Sequence, residues 1–211
     1  MTRRTCIAAI VAALLATLVP ATHGARKPET SKSLAFATYK EQVGRITVLV
    51  GSFPAALNET EPYVPLQVAV GVRGRGEKIT LGVESFQLID RDGNIFPIAS
   101  FEEFRNNDHA QLFNPQIIAA YPLVTGQQFA TSFQLRSSFF PTTAGGVRID
   151  RVELEQSNHI IDVLYFPRPL AGLDGVLTLR VQAKQLAAPI DVRFEVPLKG
   201  KRRAEKRARR D

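Results

Sequence analysis

Ile190-Asp191-Val192-Arg193-Phe194-Glu195-Val196-Pro197-Leu198 alternates apolar and polar side chains almost without a break. A strand turns successive side chains to opposite faces, so Ile190, Val192, Phe194, Val196 and Leu198 share one face, and Asp191, Arg193 and Glu195 share the other. One face is then buried and the other wet, the pattern of an antiparallel sheet packed on a core from one side. The same alternation recurs in Val64, Leu66, Val68, Val70 and Val72, in Phe129, Thr131, Phe133 and Leu135, and in Leu177, Leu179, Val181 and Ala183.

Segments 46–51, 83–90, 95–99, 151–155 and 159–166 also suit strands, and turn chemistry separates several of them: Gly74-Arg75-Gly76, Gly145-Gly146, Ser157-Asn158 and Asp174-Gly175. Nine short strands with almost no helical periodicity predict an all-β fold, an antiparallel β-sandwich, with a closed barrel as the alternative. One or two short helices are expected. Ser100 and Glu103 have capping-box spacing and open a helix over Phe101–Arg105, while residues 33–42, the end of a leader spanning 25–42, offer a second. The 156 residues 43–198 suffice for one hydrophobic core and not comfortably for two, so they are assigned to one domain.

Two stretches carry a likeness. Val64-Pro65-Leu66-Gln67-Val68-Ala69-Val70 and Glu84-Ser85-Phe86-Gln87-Leu88-Ile89-Asp90-Arg91-Asp92-Gly93 resemble secreted bacterial immunoglobulin-like domains of unknown function: a valine-rich strand, then a strand running into an aspartate–glycine turn. Arg73-Gly74-Arg75-Gly76 stands where those domains carry an asparagine-rich turn. The resemblance implies an immunoglobulin-like sandwich and, by analogy alone, a binding or assembly role.

The start of the chain reads as an address. Arg3 and Arg4 precede an unbroken run of apolar and small residues over 7–19, Pro20 ends it, and Thr22-His23-Gly24 offers a small-x-small cleavage site. Residues 1–24 are therefore expected to be a cleavable signal peptide, too short to span a bilayer as a settled helix, with a periplasmic or secreted mature chain that has no transmembrane span. Thr2-Arg3-Arg4 also has the look of twin-arginine export, although Cys6 and Ala8 replace that motif's usual aromatic and lysine. Cys6 is the only cysteine and leaves with the signal, so disulfides, thiolate nucleophiles and cysteine zinc sites are excluded from the mature protein.

The formal charge of +7 comes from 27 basic and 20 acidic residues. Arg3 and Arg4 go with the signal; the tail 199–211 holds Lys199, Lys201, Arg202, Arg203, Lys206, Arg207, Arg209 and Arg210 against Glu205 and Asp211. Subtracting ten cations and two acids leaves 17 and 18, a nearly neutral body. Without a side chain larger than alanine that is apolar, the tail is expected to be disordered when free, and its eight cations are candidates for contact with anionic lipid or envelope polymer. Nucleic acid is disfavoured by the absence of a stacking aromatic there and by the export signal.

Catalytic and metal signatures are weak. Asp90-Arg91-Asp92-Gly93-Asn94 lacks EF-hand spacing and reads as a hairpin turn in which Gly93 takes positive φ and the aspartates bond nearby backbone. His109 and His159, the histidines downstream of the signal, have no companions at ligand or triad spacing and read as surface or hairpin residues. Glu84, Glu102, Glu103, Asp150 and Glu153 could supply a glycosidase pair, and nothing in the sequence selects two. No catalytic residue, metal ligand or cofactor is assigned. Phe139 and Phe140, adjacent aromatics in a turn, are kept as a possible partner contact against the alternative that they cap the core. The expectation is thus a non-enzymatic binding or accessory protein of the bacterial envelope, with an unidentified protein or envelope partner. A carboxylate-based glycan hydrolase and a structural subunit pairing through a sheet edge are the alternatives.

Overall fold

A computed structural model describes residues 30–35, 37–106, 123, 128–135, 137–140 and 147–198. In chain order the strands are β1 Ser33–Ala35, β2 Thr38–Val43, β3 Ile46–Gly51, β4 Tyr63–Val72, β5 Ile79–Gly82, β6 Phe86–Ile89, β7 Ile95–Pro97, β8 Phe133–Gln134, β9 Ser137–Ser138, β10 Val147–Arg148, β11 Arg151–Leu154, β12 Asn158–Pro167, β13 Val176–Val181 and β14 Ile190–Glu195. Two short α-helices interrupt them, α1 Phe53–Leu57 and α2 Phe101–Arg105. The described residues are mostly β, built mainly of antiparallel sheets.

The alternating segment behaves as its sequence dictates. In β13 and β14 every second residue is buried, and the pair runs in unbroken register from Val176↔Glu195 to Val181↔Ile190. On the wet face Arg180 makes a bidentate pair with Asp191, both contacts at 2.8 Å. These strands belong to a four-stranded sheet ordered β14-β13-β6-β7. The turn joining β6 to β7 is the expected hairpin, with Gly93 at φ +87.

The larger sheet has the order β1-β2-β3-β4-β12-β8. Its middle departs from the alternation that was expected: β3 is buried at all six positions and β4 at nine of ten. Val64, Leu66, Val68, Val70 and Val72 join one large cluster with Leu88, Leu179, Val192 and Phe194 of the four-stranded sheet. The opposite face carries Leu49, Ala69 and Ile161, which would be wet but for Leu123 and Phe129 laid over them. Glycine makes that cover possible: a methyl group on Gly51 would stand 2.6 Å from Leu123 Cδ1, and one on Gly71 would overlap the Phe129 ring.

Two expectations are corrected. Residues 33–35 and 37–42 are not helical; β1 and β2 extend the larger sheet, and β2 pairs residue for residue with β3 from Thr38↔Gly51 to Val43↔Ile46. Gly44, at φ +55, opens the two-residue turn between β2 and β3, and pairing with a fully buried neighbour overrides the local helix preference of Lys40-Glu41-Gln42. The domain accordingly starts before residue 43. Second, Phe129, Thr131, Phe133 and Leu135 do not form a strand: only Phe133–Gln134 pairs, parallel to β12, and residues 128–132 are turn and bend. Helix α2 is as expected, with Ser100 Oγ accepting from Glu103 N at 3.2 Å and Ser100 N donating to Glu103 Oε2 at 2.7 Å.

Hydrogen bonds tie the two main sheets together at both sides. Ala99 N donates to Tyr165 O at 2.8 Å on one side. On the other, Ser31 N donates to Arg193 O at 3.2 Å, Arg193 N donates back to Ser31 Oγ at 3.1 Å, and Ser52 Oγ donates to Glu195 O at 2.7 Å. The outward backbone of β14 is thereby occupied at Arg193 and at Glu195 rather than presented to another chain.

Candidate functional site

Glu84 stands between two clefts that together make a trough. One, of about 540 Å3, is walled by Thr80, Ser85, Arg151, Gln182, Lys184 and Gln185. The other, of about 410 Å3, has an apolar floor that includes Ile98, Phe101, Phe139 and Phe140 and charged sides from Glu103, Arg148 and Asp150. Helix α2 positions Phe101 and Glu103, and the segment that follows β9 supplies the two buried phenylalanines.

Of the five acids singled out in the sequence, the fold brings Glu84, Glu103 and Asp150 to this trough, whereas Glu153 pairs with Lys78 at 3.3 Å and Glu102 is exposed on α2. Each of the three has a neighbour. Glu103 is held by Ser100, whose backbone N–H first and side chain second keep its carboxyl below the usual range. Arg151 lies 3.8 Å from Glu84. Arg148 donates to Asp150 at 3.1 Å and at the same time lies over the Phe101 ring, 4.3 Å from its centroid. Exposed ion pairs of this kind contribute only about 0.2–1 kcal/mol. They set the resting arrangement of the trough more than its stability.

Among the described residues, the carboxyl with a raised pKa is elsewhere. Asp162, on β12, is buried, and burial pushes it up to about 6 against three donors that favour its charge. Ser138 Oγ donates to Oδ1 at 2.7 Å, Phe139 N to Oδ2 at 2.7 Å and Val163 N to Oδ1 at 2.8 Å. The residue thus fastens the segment after β9 to β12. Nothing in the local sequence separates it from the exposed acids, and only the apolar run around it, Ile160 to Phe166, hinted that it would be enclosed.

The remaining candidates fall as follows. Asp90 Oδ1 accepts from Asp92 N at 2.9 Å and Asn94 N at 2.8 Å, and Oδ2 accepts from Asn94 Nδ2 at 2.9 Å. Its carboxyl is held low chiefly by the Asn94 side chain, so its oxygens serve the turn. His159 is buried, a correction to the surface reading: its ring stacks on Phe129 at 4.7 Å and 12°, its Nδ1 is 2.9 Å from Ser132 Oγ, and burial lowers its pKa. Phe139 and Phe140 are likewise buried and offer no exposed contact. The backbone leaves the strand after Ser138, so the two rings diverge: Phe139 meets Phe86 edge-on at 5.8 Å, and Phe140 meets Phe104 at 5.1 Å and Tyr165 at 5.5 Å. His109, the signal segment 1–24, and the tail cations Lys199, Lys201, Arg202, Arg203, Lys206, Arg207, Arg209 and Arg210 lie outside the described residues.

Among the described residues, fold and site together define a mostly β protein, built mainly of antiparallel pairs, with two short α-helices and a mixed-charge trough. Among the described residues no helix is long and apolar enough to cross a membrane, and no group of three or more metal-ligating side chains gathers. The chain matches no protein-family model, no curated protein and no solved structure.

Proposed function

We propose that this chain is an exported, non-enzymatic binding protein of the bacterial envelope. In this reading its two main sheets form an immunoglobulin-like sandwich, its trough holds an extended polypeptide segment of a partner, and its basic tail tethers it to an anionic surface. The observation that carries the reading is Arg148, which engages Asp150 and covers the face of Phe101 with one guanidinium. A glycan hydrolase needs a free acid pair and an aromatic face to stack a sugar. Here one side chain engages one of the trough acids and covers the aromatic face as well. Cations and carboxylates interspersed with Thr80, Gln182 and Gln185 over phenylalanine suit a peptide backbone and mixed side chains instead.

Pairing through the β14 edge is less favoured, because Ser31 and Ser52 already occupy its outward backbone at Arg193 and Glu195. The test is photo-crosslinking in the exported full chain, with the probe placed at Gln185 in the trough or at the fully exposed Leu170. A discrete polypeptide adduct from position 185 alone, on protein whose N-terminus lies near Ala25, is expected. Identical adducts from both positions, or recovery with residues 1–24 intact, would contradict the reading.

A further inference from the structure

The turn after β4 and the segment ahead of β8 face one another across a second concavity, separate from the trough. It consists of adjoining clefts of about 340 and 450 Å3 that share Gly74, Thr131 and Gln156 as a common wall. Both walls are fixed from behind. The Phe129 ring is seated against Gly71 and stacked on His159, and Ser132 is bonded to that histidine, which holds Thr131 in place. Across from it, Arg45 donates to Gly74 O at 3.4 Å and Glu77 O at 2.8 Å, so the carbonyls of the turn are drawn to one side. Gly74 at φ +73 and Gly76 at φ +156 give this turn a path that other residues rarely follow.

The charge and the unspent donors point one way. Arg73 and Arg75 line the concavity against a single acid, Glu155, which already accepts from Ser157 Oγ at 3.2 Å. Arg73 is anchored through Nη2 to Gln128 O at 2.9 Å. Arg75, Thr131 and Gln156 make no hydrogen bond or ion pair with any described residue, yet they come from three separate segments to one space. A guanidinium, a hydroxyl and an amide that line one cleft from three segments offer donors for the several oxygens of a tetrahedral anion. Each cleft is large enough for a small ligand.

We infer that this concavity is a binding site for a phosphate group, free or carried on a small ester, with Arg75 as its principal cation. The site is independent of the peptide trough and of export. Binding of inorganic phosphate and of glycerol phosphate to the full-length chain is measured by calorimetry, with malonate, a dianion whose charge sits on planar carboxylates, as the comparison. Saturable binding is expected for at least one phosphate probe, weakened about tenfold by Arg75→Ala and about threefold by Thr131→Val. Arg202→Ala/Arg203→Ala in the tail is expected to leave it unchanged. Preference between the two phosphate probes tells free phosphate from ester. The inference is overturned by absence of saturation at millimolar phosphate and ester, by malonate binding as tightly, by an unchanged affinity in Arg75→Ala, or by a loss that follows the tail substitutions instead. Arg75 is exposed and pairs with no described residue, so its replacement leaves folding intact.

Discussion

The carboxylate of Asp162 holds the hydroxyl of Ser138 at 2.7 Å inside a region from which water is excluded. Burial raises its pKa from 3.8 to about 6, so the folded protein favours the neutral form while the unfolded chain ionises two units earlier. As pH rises from about 4 to about 6, this residue removes on the order of 3 kcal/mol of stability. Buried His159, whose pKa is lowered from 6.5, acts oppositely below that value, because the unfolded chain takes up a proton first as pH falls. The two must be separated. The difference between wild-type and Asp162→Asn urea midpoints is expected to change across pH 4–6, with the wild type losing ground as pH rises. A difference independent of pH would show that Asp162 does not titrate there.

Gly71 and Phe129 form a matched pair in which the ring fills the place of a side chain. Gly71→Ala is expected to cost about 1–3 kcal/mol by overpacking. In a Phe129→Ala background the same change should cost far less, since the obstructing ring is gone. Additive losses in the double-mutant cycle would place the strain elsewhere.

Thr47 of β3 lies opposite Gly71 of β4, fully buried, and its Oγ1 has no hydrogen-bond partner among the described residues. An unsatisfied hydroxyl of this kind costs about 1–3 kcal/mol. Thr47→Val is therefore expected to raise the urea midpoint with the m-value unchanged. A lower midpoint would mean that the hydroxyl has a partner in solution.

How far the sequence disclosed these features depends on the distance over which each is specified. The paired strands β13 and β14 were legible because one face is wet and the other dry, and helix α2 was legible because its cap is made by residues three apart. Strands β3 and β4 are covered on both faces by residues far along the chain, so the one-sided pattern read from β4 was incomplete. For β2, the helix-forming Lys40-Glu41-Gln42 outweighed a signal that was present, the Gly44-Arg45 turn between two strand-length segments. The trough acids were named as candidates, but Arg148 over Phe101 arises from tertiary packing and leaves no trace in spacing. Likewise Arg75, Thr131 and Gln156 line one cleft only through the tertiary fold, with Thr131 two residues from the Phe129 ring that covers Gly71.

The eight cations of residues 199–211 make a separable prediction. The intact chain should bind anionic vesicles with an affinity that falls as salt rises, and a chain ending at Leu198 should not. Equal and salt-insensitive binding of the two would remove the tether from the account.

The claim that this protein binds rather than cleaves is tested most directly by incubating the purified mature chain with envelope glycan and following the appearance of new reducing ends, with Glu84→Gln and Asp150→Asn variants alongside. The account predicts no increase over the protein-free control for any of the three. Release of reducing ends by the wild type that disappears in either variant would contradict it.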